Sequence, residues 1–183
     1  MASKKLPRFL TWPEFRKMLE SCEKRDAMVL QTFFFTGLRN NELRCLKVED
    51  IDLANRELKV EHGKGDKQRN VPIPMMFINT LTEWIAGRDK GFLFEGGSRD
   101  GTLSNTQIRR IVKSCAKKAN IRKWWEVHPH SMRHGYATYL RNREIPLEVI
   151  QEILGHERLE TTRIYAHLAK DQAKKSVDKA FSD

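Results

Sequence analysis

The stretch ELKVEHGKGDKQRNVPIP, residues 57–74, decides the fold class, because it interrupts a chain whose other segments have helical periodicity. Its first six residues alternate between polar and apolar, as in a half-buried β-strand. Residues 63–67 combine two glycines with an aspartate and two lysines, which is the composition of a turn. A second alternating run covers 68–74. The stretch therefore predicts a β-hairpin with a basic tip, and residues 51–53 could add a third strand.

On both sides of this hairpin, apolar residues recur at helical spacing. A capping box at Thr11 and Glu14 begins the first helix, and Gly37 ends a second that is apolar on most sides. Further helices are expected at about 40–46, 76–87, 104–119, 130–142, 146–154, 159–168 and 170–181. The predicted class is mainly α with a small antiparallel β-sheet, an α+β fold.

Composition places the chain among single-domain globular proteins. Its 183 residues are 39% hydrophobic, enough to bury a core without disulfides. No apolar run approaches about 18 residues, so no transmembrane helix is expected, and the N-terminus lacks the apolar region of a signal peptide. Three widely spaced cysteines do not make a disulfide framework. We expect a cytoplasmic, reducing location and no membrane partner.

Basic charge is concentrated in one part of the sequence. The chain has 34 Lys and Arg against 24 Asp and Glu, a net charge of +10. Residues 109–143 contain ten of the basic residues and a single acid, Glu126. A solvated basic face is one explanation. Segregated charge favours a footprint for the phosphate backbone of nucleic acid instead.

The predicted helix at 104–119 separates its apolar and basic residues. At about 100° per residue, Ile108, Val112 and Cys115 fall on one side. Four cations form a stripe on the other side, namely Arg109, Arg110, Lys113 and Lys117. The helix could be an ordinary amphipathic surface helix, but its cationic stripe also fits a DNA groove or the phosphate rim beside it.

Six residues with chemically useful side chains stand out, although each alone has an ordinary structural explanation. They are Arg39, Lys64, His130, Arg133, His156 and Tyr165. The three histidines at 128, 130 and 134 could ligate zinc, but no Cys, Asp or Glu stands at a convincing fourth position. We therefore predict no metal site.

Taken together, the segments around these residues closely resemble the tyrosine recombinase (phage integrase) family, and its Xer-like branch in particular. The resemblance covers about residues 7–168, and the motifs occur in family order with family-like spacing. The segments are TGLRNNEL (36–43), GKGDKQRNVP (63–72), HPHSMRHGYAT (128–138), LGH (154–156) and TTRIY (161–165). The resemblance implies a tyrosine recombinase catalytic-domain fold and a site-specific DNA recombinase activity.

The resemblance implies that Arg39 and Arg133 are the family's two phosphate-binding arginines. Two guanidiniums can grip the oxygens of one scissile phosphate and stabilise the charge of its transition state. Glu42, one helical turn after Arg39, matches the supporting acid of the first motif. Its carboxylate could orient Arg39 or His130.

The resemblance also implies a nucleophile, an acid and two histidine roles. Tyr165 matches the nucleophile that forms a 3′-phosphotyrosyl bond with DNA. Lys64, on the hairpin, matches the lysine that protonates the departing 5′-oxygen. His130 helps remove the tyrosine proton, and His156 binds the phosphate. Because the covalent bond conserves the phosphodiester energy, neither ATP nor a high-energy cofactor is expected, and the resemblance implies chemistry without a metal.

Double-stranded DNA is the expected partner. We expect a protein that is monomeric when free, because the apolar stripe of its C-terminal tail is too narrow to bury the area of a stable dimer. On DNA we expect a cyclic tetramer, associated with the nucleoid when it acts. DNA contacts are expected from the hairpin and from the basic helix. These residues are Lys67, Arg69, Ser104, Arg109, Arg110 and Lys113.

The domain organisation follows from the same resemblance. Residues 1–10 are expected to be a linker tail, 11–168 the catalytic domain and 169–183 a C-terminal tail helix. Most family members carry a core-binding domain before this region, so we expect an excised catalytic domain rather than a single-domain recombinase. The tail has a narrow apolar stripe at Ala173, Val177, Ala180 and Phe181. This stripe could dock on its own domain, fray, or dock on a neighbouring protomer.

Two other functions fit parts of this pattern. A type IB topoisomerase shares the fold and the tyrosine chemistry, but has a basic residue where this chain has His130. A DNA-binding module without catalysis has no need of Tyr165 at the end of a complete set of catalytic residues. The recombinase interpretation is therefore favoured.

Overall fold

The structure is a computed structural model that describes residues 8–61, 68–155 and 166–182. In the last range, side chains are described only from residue 173 onward. Helices make up most of the structure. Among the described helices, none has the length and apolar composition needed to cross a lipid bilayer. The helices are α1 (Trp12–Glu20), α2 (Lys24–Thr36), α3 (Asn40–Cys45), α4 (Met75–Ile85), α5 (Asn105–Lys118), α6 (Pro129–Asn142), α7 (Leu147–Leu154) and α8 (Ala166–Ala180). The predicted mainly helical class is confirmed.

The helix ends follow the capping signals in the sequence. The hydroxyl of Thr11 accepts the Glu14 N–H at 3.4 Å, and the Glu14 carboxylate accepts the Thr11 N–H at 3.0 Å, so both halves of the predicted capping box are present. Gly37 follows α2 with φ at +63°, a conformation that glycine adopts without steric cost. Because these signals are local, most predicted boundaries agree with the structure within about two residues.

The three strands form the expected antiparallel sheet. They are β1 (Ile51–Asp52), β2 (Glu57–Val60) and β3 (Arg69–Pro72), in the order β1-β2-β3. Leu58 pairs with Val71, and both side chains are buried, so the alternation in the sequence faces the core as expected. The turn between β2 and β3, residues 62–67, lies outside the described residues.

The core is built around α2, which packs against α1, α4, α5 and α6. Its residues Phe33 and Phe34 are fully buried, and the Phe34 ring stacks on that of Phe15 from α1 with centroids 4.1 Å apart. A helix that is apolar on most sides is expected to lie inside a helical domain, and α2 does. It thereby brings its C-terminal end close to α6.

The C-terminal helix differs from the prediction in its boundary. A break between residues 168 and 170 was expected, whereas α8 runs without interruption from Ala166 to Ala180. The first part of the predicted helix at 159–168 lies outside the described residues. The sequence around 169 has no glycine or proline, and therefore nothing in it stops a helix.

The apolar stripe of α8 is docked on the same chain. Ala173, Val177, Ala180 and Phe181 are all buried. The Phe181 ring stacks on Tyr139 with centroids 4.8 Å apart, and the Tyr139 hydroxyl donates a 2.9 Å hydrogen bond to the Ala180 carbonyl. Arg56 also pairs with Asp178 at 2.6 Å. Of the alternatives open from the sequence, the structure has docking in cis.

We expect Phe181→Ala to lower the free energy of unfolding by about 3 kcal/mol, because it empties an aromatic site in the core. Urea unfolding at neutral pH measures the change. Ser182→Ala, at the exposed neighbouring position, is the control and is expected to leave stability unchanged. Equal stability of the two variants would contradict the docked position of the tail.

Candidate active site

Arg39 lies where the chain turns from α2 into α3. The turn needs Gly37, because a Cβ there would come within 2.5 Å of Tyr136 Cδ1 and 2.7 Å of Leu154 Cδ2. Arg39 itself is extended and serves as the N-cap of α3. Its guanidinium donates through Nη2 to the Gly155 carbonyl at 2.8 Å. The close packing at Gly37 thus fixes where this arginine leaves the backbone.

Arg133 reaches the same place from α6. Its side chain is buried, with the residue only 7% exposed. Nη1 donates to the Gly37 carbonyl at 2.6 Å, and Nη2 donates to the Leu154 carbonyl at 2.5 Å. Burial, and next the charge of Arg39, lower the pKa of Arg133 to about 10, so it remains protonated at neutral pH.

Glu42 fixes Arg39 through both the backbone and the side chain. Its Oε2 accepts the Arg39 backbone N–H at 2.7 Å, and its Oε1 accepts Arg39 Nη1 at 2.8 Å. The carboxylate is inside the protein, with 7% of its side chain exposed. Burial raises the pKa of Glu42, but hydrogen bonds and charge from Arg69, followed by the hydrogen bonds from Arg39, outweigh it and lower this pKa to about 2. The contacts of Glu42 therefore orient Arg39.

Arg69 lies inside the protein rather than on the surface where a DNA contact was expected. Its side chain is 9% exposed and donates two parallel hydrogen bonds to the Glu42 carboxylate, at 2.9 and 2.8 Å. The physical reason is the buried carboxylate, which needs more positive charge than the half-exposed Arg39 supplies. The sequence marked Arg69 as a basic hairpin residue, but gave no sign of its partner.

Three guanidiniums converge on the C-terminal end of α7. Arg69 Nε donates to the carbonyl of Ile153 at 2.9 Å, Arg133 to that of Leu154, and Arg39 to that of Gly155. The last carbonyls of a helix have no partner within the helix and form the negative end of its dipole. Cations are stabilised there, and the successive carbonyls space the arginines apart.

This cluster carries surplus positive charge. Among the described residues it contains three guanidiniums and one carboxylate, that of Glu42. Arg39 keeps 35% of its side chain exposed at the edge of the cluster. Such an arrangement is suited to an anion, because a phosphate can accept charge-assisted hydrogen bonds and offset the repulsion between the arginines.

His130 lies next to the cluster, one helical turn before Arg133. Pro129 occupies the first turn of α6, where proline is well tolerated, and His130 follows it with an exposed side chain. Its ring centroid is 6.1 Å from that of His128. An exposed imidazole beside an anion site can accept or donate a proton. The described part of α6 therefore presents two predicted site residues, Arg133 and His130, on neighbouring turns.

Four of the predicted site residues fall outside the ranges that the structure describes, namely Lys64, Lys67, His156 and Tyr165. His156 follows Gly155 directly in the chain, and Gly155 is held by Arg39. Their roles remain predictions from the sequence.

A groove of about 750 Å³ runs beside the cluster. Asn40, which follows Arg39 in the chain, and His130, one helical turn before Arg133, form one part of its wall. The rest comes mainly from α5 and the turn before α6. The lining residues are Asn40, Thr106, Arg109, Arg110, Lys113, Ser114, Lys117, Trp124, Trp125, His128, Pro129 and His130.

The two faces of α5 agree with the sequence projection. Ile108, Val112 and Cys115 are buried, whereas the four cations of the predicted stripe are exposed toward the groove. Ser104, predicted to contact DNA, is half-buried and begins the helix. Its hydroxyl accepts the Gln107 N–H at 3.1 Å. This is an N-cap contact, which stabilises α5 itself.

Two groove residues, Trp124 and Trp125, were not predicted from the sequence. The Trp124 ring packs under the Lys117 ammonium, 5.2 Å from the ring centroid, and Trp125 is 55% exposed. The signal was available, since adjacent tryptophans inside a basic segment are typical of nucleic-acid surfaces.

The zinc alternative gains no support from side-chain geometry. In the ranges that the structure describes, no three His, Cys, Asp or Glu side chains are placed to hold a metal ion. His128 and His130 lie instead on the wall of the groove, where the pKa of His128 is lowered by burial and by nearby cations and histidines.

Two of the three tyrosines have structural roles. Tyr136 is fully buried, and burial raises the pKa of its phenol well above the usual range. The Tyr139 hydroxyl is bonded to the Ala180 carbonyl. Tyr165 is the remaining tyrosine of the sequence.

The fold and the site define a helical domain with a small sheet, in which a cluster of three arginines carries surplus positive charge near a basic groove. Residues 8–172 match the phage integrase family, and the chain belongs to that family. The resemblance inferred from the motifs is therefore confirmed.

The relatives in this family carry recombinase names. The chain is 37% identical to the tyrosine recombinase XerA of Pyrococcus furiosus, over 97% of this chain and 63% of XerA. It is 38% identical to a tyrosine recombinase of Thermosipho africanus, over 96% of this chain and 62% of the relative. The chain thus spans less than two thirds of the length of these relatives.

Solved structures with the same fold agree with this assignment. A crystal structure of XerA recombinase has a TM-score of 0.75 and 31% identity, over 97% of this chain and 66% of that one. XerH site-specific recombinase, bound to palindromic difH substrate in a post-cleavage complex, has a TM-score of 0.69 and 30% identity, over 94% and 53%. The integrase of mycobacterium phage Brujita, with a TM-score of 0.82 and 22% identity over 98% and 60%, shares the fold.

We expect stability to depend on the ionisation of Glu42. Because its pKa is about 2 in the folded protein and near 4.5 when unfolded, its contribution is complete above pH 4.5 and is lost as the pH falls toward 2. Glu42→Gln should remove about 3 kcal/mol at pH 7 and flatten the loss of stability between pH 5 and 3. Urea unfolding at several pH values measures both effects.

Glu83→Gln is the matched control, since Glu83 is exposed on α4. It is expected to follow the wild-type pH dependence. The assignment of Glu42 as a buried, charged partner of the arginines would be contradicted by parallel pH curves for all three proteins.

Proposed function

We propose that this chain is the catalytic region of a site-specific DNA recombinase, which cuts and rejoins DNA strands through a covalent bond to Tyr165. One observation carries the proposal: the arginine cluster has surplus positive charge with Arg39 at its exposed edge, and Asn40 and His130, which neighbour Arg39 and Arg133, line a basic groove. A scissile phosphate in the cluster would place its flanking duplex along the cations of α5. Arg39 and Arg133 would grip the phosphate, each with charge-assisted hydrogen bonds.

The nucleophile of the proposed reaction is Tyr165. Its phenolic oxygen attacks the scissile phosphorus, and the bond from phosphorus to the 5′-oxygen breaks, leaving a 3′-phosphotyrosyl link and a 5′-hydroxyl. The structural roles of Tyr136 and Tyr139 support this assignment, because neither hydroxyl is free to reach DNA. A phenol with a pKa of about 10 needs a base or a strong positive field to react at neutral pH.

Two proton transfers complete the cleavage step. His130 takes the phenolic proton, which its exposed position beside the arginine cluster supports. Lys64 gives a proton to the departing 5′-oxygen, and His156 binds the phosphate. The reverse reaction, with the 5′-hydroxyl of a partner strand as nucleophile, restores the phosphodiester. No bond energy is lost to water, so the exchange uses no ATP.

Relatives support the substrate class. XerH is described as bound to its difH substrate, and the XerA and XerC relatives are named tyrosine recombinases. We propose double-stranded DNA as the partner of this chain. We further propose that the chain is monomeric when free and forms a cyclic tetramer on DNA. The cis position of the α8 stripe supports the first part, because its apolar side chains are not exposed to a neighbour.

We expect Tyr165→Phe to keep DNA affinity and to lose covalent trapping, since only the nucleophilic oxygen is removed. The protein is incubated with a nicked suicide DNA substrate, and a denaturing gel shows the covalent band. Tyr139→Phe removes the same atom from a structural tyrosine and is expected to retain the band. A covalent band with Tyr165→Phe would assign the nucleophile elsewhere, and no band with the wild type would favour a DNA-binding module.

We expect Arg110→Glu to weaken DNA binding by about 1–3 kcal/mol if the side chain reads a base edge. If it contacts phosphate, the slope of log affinity against log salt should fall by about one. Fluorescence anisotropy titrations at several salt concentrations measure both quantities. Lys90→Glu makes the same charge change on an exposed loop after α4 and is the control. Equal behaviour of the two variants would make α5 a plain surface helix.

A further inference from the structure

Arg69 stands at the base of the β2–β3 hairpin, five residues after Lys64. It is the first residue of β3 and pairs with Val60 of β2. Although the hairpin is rich in basic residues, the Arg69 side chain turns inward and is 9% exposed. A cation held inside the protein in this way acts on its protein neighbours, so its contacts define its role.

One side chain connects three elements of the site. Arg69 belongs to β3, its two Nη atoms bind Glu42 of α3, and its Nε binds the Ile153 carbonyl at the end of α7. The two bonds to the carboxylate, at 2.9 and 2.8 Å, form the parallel pair that a guanidinium makes and an ammonium does not. Lysine at this position would keep the charge but lose this geometry.

Arg69 acts on Arg39 through the shared carboxylate. Glu42 Oε1 accepts from Arg39 Nη1 at 2.8 Å and from Arg69 Nη1 at 2.9 Å. Glu42 Oε2 accepts from Arg69 Nη2 and from the Arg39 backbone. Because Arg69 occupies one whole edge of the carboxylate, Arg39 shares only one oxygen of it through its side chain. Arg39 Nη2 donates instead to the Gly155 carbonyl, and 35% of the Arg39 side chain remains exposed.

Arg69 also supports the end of α7. Gly155 has a φ of +65°, and a Cβ there would lie 2.9 Å from Arg69 Cδ. The Gly155 carbonyl is the second acceptor of Arg39, at 2.8 Å. The stem of Arg69 and its bond to Ile153 thus fix the chain immediately before His156.

We propose that Arg69 is a positioning residue for strand cleavage, which holds Arg39 and the end of α7 in the geometry that the scissile phosphate requires. The proposal rests on the recombinase function proposed above. Arg69 does not touch the phosphate. It binds both oxygens of Glu42, which orients Arg39, and it joins the start of β3 to the end of α7.

The first experiment compares Arg69→Lys with Arg56→Lys. Arg56 also makes two hydrogen bonds to one carboxylate, that of Asp178, at 2.8 and 2.6 Å, but outside the arginine cluster. Single-turnover cleavage of a suicide DNA substrate is measured with saturating protein. We expect Arg69→Lys to slow cleavage about tenfold to a hundredfold and to change the dissociation constant for DNA less than about twofold. Arg56→Lys should cleave at the wild-type rate.

A double-mutant cycle tests whether Arg69 works through Arg39. In an Arg39→Lys background, the further change Arg69→Lys should slow cleavage less than it does in the wild type, because one of the two groups that it positions is already altered. Fully additive losses would overturn the proposal.

A measurement without catalysis separates this proposal from the recombinase function. The Nε–Hε signal of Arg39, observed in a ¹⁵N-arginine NMR spectrum of the whole chain, should shift or broaden in Arg69→Lys and not in Arg56→Lys. An unchanged signal overturns the positioning role whether or not the wild type cuts DNA. A changed signal together with a wild type that forms no covalent bond overturns the recombinase function alone.

A second variant guards against a simple loss of folding. Glu42→Gln combined with Arg69→Gln replaces the buried ion pair with two neutral amides, which avoids an unpaired buried charge. We expect this double variant to be folded, as measured by circular dichroism, and to cleave DNA more slowly than the wild type. Wild-type cleavage by the folded double variant would overturn the proposal.

Discussion

The hydrogen bonds between three guanidiniums and three successive carbonyls at the end of α7 hold the site together. Ile153, Leu154 and Gly155 each accept from a different arginine. These arginines come from β3, α6 and the start of α3, so the short helix α7 is the common support for elements that are distant in sequence. The negative end of a helix suits this task, because its unpaired carbonyls attract cations without cancelling their full charge.

The arginine cluster retains surplus positive charge, and this charge costs stability in the free protein. Arg133 is buried, and among the described residues its hydrogen-bond acceptors are two carbonyls rather than a carboxylate. Burial and the neighbouring Arg39 lower its pKa to about 10, a sign that the positive charge is disfavoured there. Glu42 relieves only part of this repulsion. An anionic ligand would relieve the rest, which agrees with the phosphate site proposed above.

Local signals made the helices, the hairpin and the two faces of α5 predictable, because capping, turn chemistry and hydrophobic periodicity act over a few residues. The motifs also identified Arg39, Glu42, His130 and Arg133, which the fold brings to one place. The inward turn of Arg69 was not predictable, since it depends on a buried carboxylate 27 positions away in the chain. The cis docking of α8 likewise depends on aromatic partners from α1, α2 and α6.

The glycine between α2 and Arg39 has a consequence for the docking of the C-terminal helix. Gly37 leaves room for the Tyr136 ring, and the other neighbours of that ring include Phe181, with centroids 6.4 Å apart and planes nearly parallel at 14°. The carbonyl of Gly37 holds Arg133. The Tyr136 ring therefore lies between two parts of the protein, with the arginine cluster on one side and the docked C-terminal helix on the other. Any residue larger than glycine at position 37 would push on both sides at once.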